Sequence, residues 1–172
     1  ERSGSWMGPA YGWEEGGARN RDWMEIGSDD GYGTLVDPND PSHGYMVLGD
    51  GDLIRFDLQT GERKGIRPWA PAFTGLRLNR DVPISLDPHD ASAIYYGSQF
   101  VHKSTNRGET WQIISGDLTV NDPAERREAP GNGADTDDLT IDAGNVDGPE
   151  AEGGATITSI APSSLDRDVI WV

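Results

Sequence analysis

Five aspartates in or near expected loops carry the residue type that glycoside hydrolysis requires. The reaction needs two carboxyl groups about 5–10 Å apart, one of them with a raised pKa. Asp29, Asp30, Asp50, Asp52 and Asp81 supply the carboxyl groups. A chain this acidic offers many such residues, and aspartates in loops ordinarily close turns or face water. We therefore interpret the five as turn-forming and solvated residues and keep hydrolysis as the alternative.

A second group of carboxylates has the spacing of hard oxygen ligands. The glycine-rich stretch GADTDDLTID suits Ca²⁺ and contains Asp135, Asp137, Asp138 and Asp142. A standard calcium loop also has glycine at its sixth position and a bidentate glutamate at its twelfth. Here Thr140 is sixth and no glutamate is twelfth. The segment is thus a calcium candidate beside its interpretation as a solvated acidic loop, and no other cofactor is expected.

Nucleophilic and nucleotide chemistry have little support in this sequence. There is no cysteine, and the motifs Gly-x-Ser-x-Gly, His-Glu-x-x-His and Gly-x-x-x-x-Gly-Lys do not occur. His43, His89 and His102 are scattered, which favours turn or packing roles. Thirty acidic residues against fourteen basic ones give a net charge of −16. Such a surface repels phosphate backbones, so nucleic acid is not an expected partner.

Aromatic residues in glycine- and proline-rich stretches are the remaining candidates for ligand contact. They are Trp6, Tyr11, Trp13, Trp23 and Trp69. Tryptophan and tyrosine are common at the centres of protein interfaces, and their rings can also stack on sugars. Packing between β-sheets is a third use of the same side chains.

The stretch STNRGETWQ, residues 104–112, combines turn-forming residues with a large aromatic ring. Asn106 can accept a hydrogen bond from the backbone two residues further on, and Gly108 can adopt a positive φ without a Cβ penalty. Trp111 can then bury apolar surface against a neighbouring sheet. The pattern predicts a hairpin with a structural role.

Internal repeats organise the elements that would position these residues. The segments 34–46, 84–96 and 160–172 share an apolar start, a polar turn and a β-rich run, with Tyr45, Tyr95 and Trp171 as equivalent aromatics. Short strands separated by Gly and Asp turns recur about four times per ~50 residues, which is typical of a β-propeller blade. An insertion at 117–153 carries eleven acidic residues and two arginines, and predicts a long acidic surface loop.

The spacing of Ser104, Asn106, Gly108, Thr110 and Trp111 resembles the Asp-box, Ser-x-Asp-x-Gly-x-Thr-Trp, with asparagine in place of aspartate. This box (or BNR repeat) occurs in sialidase-like, sortilin-like and xyloglucanase-like propellers, where it lies at blade hairpins away from the substrate face. The segments 56–69, 82–123 and 157–172 also resemble large exported bacterial proteins of the sortilin-like or glycosyl-hydrolase-like kind. The resemblance implies a propeller fold and a periplasmic or extracellular, peripheral location.

Together these observations predict an all-β chain, a single partial β-propeller domain spanning 1–172 with about two four-stranded blades. We expect a blade remnant and loop at 1–33, repeats at 34–83 and 84–159, and the start of a third at 160–172. The expected function is a non-catalytic extracytoplasmic binding or scaffolding module, an accessory subunit docked on other protein subunits, including those of a membrane-associated complex. The alternatives are part of a glycoside hydrolase and a carbohydrate ligand. No apolar run reaches the about 18 residues of a membrane-spanning helix.

Overall fold

The computed structural model describes residues 4–12, 16–28, 31–70, 75–119 and 156–172. Within these ranges the chain forms twelve β-strands and two short 3₁₀ turns, Asn20–Asp22 and Gly49–Gly51. The predicted all-β class is thereby confirmed. The strands are β1 (Ser5–Met7), β2 (Met24–Gly27), β3 (Gly33–Val36), β4 (His43–Val47), β5 (Leu53–Asp57), β6 (Arg63–Gly65), β7 (Ile84–Asp87), β8 (Asp90–Gly97), β9 (Val101–Ser104), β10 (Gln112–Ile113), β11 (Ala161–Pro162) and β12 (Ile170–Trp171).

Eight of these strands form two antiparallel four-stranded sheets. Blade 1 has the order β3-β4-β5-β6 and blade 2 the order β7-β8-β9-β10. Tyr45 pairs with Leu35 and Arg55 in blade 1, and Tyr95 pairs with Ser85 and Lys103 in blade 2. The two tyrosines of the sequence repeat therefore occupy the same place, on the second strand of each blade.

The second strand of each blade is buried on both faces. Tyr45, Val47 and Leu53 of blade 1 pack with Ile94 and Tyr96 of blade 2 in one core cluster. Side chains alternate between the two faces of a strand, so the intervening residues of β4 and β8 face away from this cluster. Each blade consequently needs a neighbour on both sides to remove its apolar surface from water.

Shorter sheets cover the two outward faces. Ile26 of the β1–β2 pair packs with Met46 and Phe56 of blade 1. Ile160, which precedes β11, packs with Tyr95 and Val101 of blade 2. The first strands of successive sheets, β3, β7 and β11, contact one another in that order. The described residues therefore form a series of blades stacked face to face, as in one sector of a β-propeller.

The turn between the first two strands of each blade uses the same hydrogen bonds. An aspartate carboxylate accepts the backbone N–H two residues further on, twice per turn. The donors and acceptors are Asn39 to Asp37, Ser42 to Asp40, His89 to Asp87 and Ser92 to Asp90, at 2.8–3.0 Å. Asp166 accepts from the N–H of Asp168 between β11 and β12. These Asx turns are the structural basis of the sequence repeat.

Two strands are short. β10 contains only Gln112–Ile113, because the hairpin that precedes it extends through Trp111. Among the described residues, β11 is limited to Ala161–Pro162. Of the acidic insertion 117–153, residues 117–119 are described, and the remainder lies outside the described residues.

Candidate functional site

The 104–111 hairpin, between β9 and β10, is closed by its own side chains. The buried hydroxyl of Ser104 accepts the N–H of Gly108 at 2.9 Å and donates to the amide oxygen of Asn106 at 2.9 Å. That oxygen also accepts the N–H of Thr110, and the Asn106 NH₂ donates to the Thr110 hydroxyl, both at 2.9 Å. Asparagine therefore uses both halves of its amide in closing the turn.

The hairpin also docks on blade 1. Arg107 and Gly108 adopt positive φ values of 58° and 84°, and a Cβ on Gly108 would overlap the side chain of Ile66. The indole N–H of Trp111 donates to the carbonyl of Ile66 at 2.7 Å, and its ring meets that of Tyr96 edge-on. Glycine is thus required here both by the backbone and by the approach of the neighbouring blade.

Five charged residues extend this contact between the blades. Glu109 forms ion pairs with Lys64 at 2.6 Å and with Arg55 at 3.0 Å. Hydrogen bonds from Lys64 and then Arg55 lower the pKa of Glu109. Arg55 also donates to the carbonyl of Arg107, whose guanidinium lies 3.4 Å from the buried Asp37 carboxylate. Because most of these pairs are exposed, they orient the blades and add little stability.

A groove of about 630 Å³ opens beside this contact, between the outer strands of the two blades. The wall from blade 1 contains Lys64, Ile66 and Arg67, and the wall from blade 2 contains His102, Trp111 and Ile113. Trp69 stands at the groove with 90% of its surface exposed. Apolar and aromatic groups with a few charged groups are typical of binding sites of this size.

The imidazole in the groove wall is neutral at physiological pH. Burial lowers the pKa of His102 to about 4. Its Nε2 atom lies 2.8 Å from the hydroxyl of Ser98, and its ring packs edge-on against Tyr96 and Phe100. Because only 1% of His102 is exposed, the residue contributes packing and no charge to the groove wall.

A second cavity of about 280 Å³ lies nearby and is lined mostly by charged residues. His43 is one of its lining residues and lies between two carboxylates, with Nδ1 at 2.9 Å from Asp40 and Nε2 at 3.5 Å from Asp57. Hydrogen bonds from Ser42 and Thr60, respectively, are the main reason that the pKa values of these two carboxyl groups are lowered. Ser42 donates its hydroxyl proton to Asp40 and accepts a hydrogen bond from the side-chain amide of Gln59.

Three of the five aspartates considered for hydrolysis lie among the described residues, and each has different surroundings. Asp50 belongs to a 3₁₀ turn with a φ of 61°, Asp52 forms an ion pair with Arg67, and Asp81 lies exposed in the connection between the blades. Asp29 and Asp30 lie outside the described residues. Wherever a carboxyl pKa is shifted in the described ranges, it is lowered, at Asp40, Asp57, Asp87, Asp90, Glu109 and Asp117.

The calcium candidates Asp135, Asp137, Asp138 and Asp142 also lie outside the described residues. Within the described part of the chain, no group of three or more acidic or histidine side chains is placed to hold a metal ion. In the same ranges, no helix is long and apolar enough to cross a membrane.

Four of the five predicted contact aromatics are largely exposed. The exposed fractions are 53% for Trp6, 69% for Tyr11, 47% for Trp23 and 90% for Trp69. Trp13 lies outside the described residues. The structure brings one of the four, Trp69, to the groove that also contains Trp111.

Several residues of the groove and of the contact between the blades were missed by sequence reasoning. Arg55, Lys64, Ile66 and Glu109 belong to strands or turns whose local pattern gives no sign of a partner about 45–54 residues away. The available signal was the run RKGIRPW at 63–69, which combines basic residues with an aromatic ring in an acidic chain.

Fold and site together define a class of protein, an all-β chain built as part of a β-propeller. Among solved structures the chain is similar to the GH74 xyloglucanase from Xanthomonas campestris, with a TM-score of 0.50 and 13% sequence identity. The similarity covers 87% of this chain and 21% of the xyloglucanase chain, and it shows the fold alone. No protein-family profile and no curated protein sequence matches the chain.

Proposed function

We propose that this chain is a non-catalytic binding module that works outside the cytoplasm and docks on other protein subunits. The observation that carries the proposal is the exposure of Trp6, Tyr11, Trp23 and Trp69, four large aromatic side chains. Exposed tryptophan and tyrosine are the side chains most often found at the centre of a protein interface. Of the five exposed tryptophan and tyrosine side chains among the described residues, these four lie in the first 69 residues and the fifth is Trp171. We therefore assign the docking region to the N-terminal part of the chain.

Electrostatics support binding over hydrolysis. A glycosidase acid must hold its proton near neutral pH, which requires a raised pKa. The shifted carboxyl groups among the described residues all have lowered pKa values, as at Glu109 between Lys64 and Arg55. The net charge of −16 favours a partner whose surface is basic on the whole. The run 63–67, with three basic residues, is the local exception and favours an acidic segment of that partner.

The 104–111 hairpin enters this proposal as an Asp-box with a structural role. Its side-chain oxygens are used within the turn, and its outward residues contact blade 1. The resemblance to exported propeller proteins supports a periplasmic or extracellular location. The hairpin thus supports the binding surface by fixing the angle between the blades.

Part of a glycoside-hydrolase propeller is the second candidate function. The similarity to a xyloglucanase and the exposed Trp69 beside an open groove favour it, since aromatic rings stack on sugars. Incubation of the purified chain with xyloglucan separates the two candidates. We expect no release of reducing ends, and release that is lost in Asp52→Asn or Asp81→Asn would overturn the proposal.

Site-specific photo-crosslinking in cells of the source organism tests the docking itself. Benzoylphenylalanine would replace Trp6, Trp23 or Trp69, with the exposed polar residue Gln59 as the matched control position. We expect the aromatic positions to give adducts with the same extracytoplasmic protein and Gln59 to give none. Adducts that are equally abundant from all four positions, or found at none of them, would contradict the proposed function.

A further inference from the structure

The outer strand of blade 1, β6, has one edge without a partner strand among the described residues. Its pairing with β5 is bracketed by hydrogen bonds from the Asp57 N–H to the Glu62 carbonyl and from the Ile66 N–H to the Leu53 carbonyl. Backbone groups in an antiparallel pair point alternately towards and away from the partner. The N–H and C=O groups of Arg63 and Gly65 therefore point outwards.

The groove described above lies directly beside this edge. Lys64, Gly65 and Ile66 form part of its wall, and Trp69 and Ile113 provide exposed apolar surface next to them. A peptide that paired with β6 would place every second side chain towards the groove. The volume of about 630 Å³ is within the range of about 300–1,000 Å³ seen for ligand sites.

Charge along the edge is basic, although the chain as a whole is strongly acidic. Arg63, Lys64 and Arg67 are exposed within five residues. Arg63 points to the face opposite the groove, because it alternates with Lys64. The acidic partners of Lys64 and Arg67 are Glu109 and Asp52, which are themselves exposed. Lys64 and Arg67 are thus already paired on the groove side, and Arg63 is the basic residue on the face where a ligand carboxylate would lie.

We infer that β6 accepts an extended acidic peptide of another protein as a fifth strand of blade 1. Apolar side chains of the peptide enter the groove beside Trp69, and alternate acidic side chains lie near Arg63. Outward backbone groups select an extended peptide over a sugar, since main-chain pairing gives the affinity in strand addition. The inference names the site and the partner chemistry for the docking function proposed above, and rests on it.

Fluorescence anisotropy with a labelled eight-residue peptide of alternating glutamate and leucine tests the inference. The matched peptide of alternating lysine and leucine is the charge control. We expect the glutamate peptide to bind at least about tenfold more tightly, and its binding to weaken with added salt. Equal binding of the two peptides, or no binding of the glutamate peptide, would overturn the inference. The photo-crosslinking result would stand in either case, which separates this inference from the proposed function.

Three variants test where the peptide binds, and a fourth variant serves as their control. Gly65→Pro removes an outward N–H that has no role within blade 1, Trp69→Ala removes an exposed ring, and Arg63→Glu reverses a charge. Each is expected to lower affinity about tenfold or more, whereas Trp171→Ala, which removes an exposed ring on β12, changes it less than about twofold. Unchanged binding by Gly65→Pro or Trp69→Ala would refute strand addition at this edge.

Hydrogen exchange on the unmodified chain keeps the test independent of folding of the proline variant. Saturating glutamate–leucine peptide should slow exchange at the Arg63 and Gly65 amides, which point outwards in the free chain. The Ile66 amide, already bonded to Leu53, is the internal control and should change little. Binding without protection of Arg63 and Gly65 would show that the peptide does not pair with β6.

Discussion

Substitution of Gly108 by alanine tests whether the 104–111 hairpin docks on blade 1. Two costs are expected. An alanine at a φ of 84° pays about 1–2 kcal/mol for the left-handed backbone region. Its Cβ would also lie 2.9 Å from Ile66 Cβ and 3.1 Å from Cγ1, with a still closer overlap at Cδ1, which adds about 1–3 kcal/mol of overpacking. We therefore expect Gly108→Ala to lower the free energy of unfolding by about 2–5 kcal/mol.

Gly61→Ala is the matched control for the backbone cost. Gly61 lies in the β5–β6 turn with a φ of 77°, and a Cβ there would meet nothing within 4 Å. It should lose only about 1–2 kcal/mol. Ile66→Val, which removes the Cδ1 atom nearest to the new methyl group, should recover part of the cost of Gly108→Ala but none of the cost of Gly61→Ala.

Urea denaturation followed by tryptophan fluorescence measures all of these variants, provided that each transition is cooperative. The comparison of interest is the difference between the Gly108 and Gly61 substitutions. Equal losses at the two positions would mean that Ile66 does not press on the hairpin. Identical effects of Gly108→Ala in the unmodified chain and in the Ile66→Val variant would lead to the same conclusion.

Three further predictions concern the same contact and its surroundings. Trp111→Ala should lower the free energy of unfolding by about 3–5 kcal/mol, because the ring packs against Tyr96 and bonds Ile66; an unchanged melting midpoint would contradict this. The pKa of His102 falls to about 4 on folding, so the unfolded chain binds the proton first as the pH is lowered. The free energy of unfolding should therefore decrease by about 3 kcal/mol between about pH 6.5 and pH 4. In urea titrations across that range, His102→Leu should remove this pH dependence. Deletion of 124–152 should leave the far-ultraviolet circular dichroism of the sheets unchanged, because both blades are built from residues 33–113; loss of the β signal would show that the deleted segment is structural.

The elements of this fold could be predicted from sequence because its turns are local. The carboxylates of Asp37 and Asp87 each accept a hydrogen bond from the N–H two residues further on. The preference of aspartate for such turns depends only on adjacent residues, so it can be recognised in the sequence. The hairpin at 104–111 was predictable for the same reason, since the side chains of Ser104 and Asn106 form their hydrogen bonds within the turn. Spacing of these turns was then sufficient to indicate four-stranded blades.

The groove could not be predicted, because it depends on contacts between blades. Ile66 and Trp111 are 45 residues apart, as are Lys64 and Glu109. Neither residue of either pair carries a local pattern that specifies the other. Sequence reasoning selected Trp69 because it is a tryptophan in a proline-containing, loop-like stretch. Its position at the groove depends on the packing of blade 1 against blade 2.

The alternation of residues along the hairpin separates two tasks that a motif alone does not distinguish. Ser104, Asn106 and Thr110 use their side chains to close the turn. The intervening Arg107 and Glu109, together with Trp111, face blade 1 and bond to it.

Within the Asp-box pattern, Ser104, Asn106 and Thr110 thus determine the shape of the turn. Gly108 and Trp111, together with the intervening Arg107 and Glu109, determine what the turn docks on. Because both sets are engaged within the fold, the hairpin has few groups left for a ligand. Among the described residues, the outward backbone of Arg63 and Gly65, with the exposed Trp69 beside it, is the feature on which the proposed recognition depends.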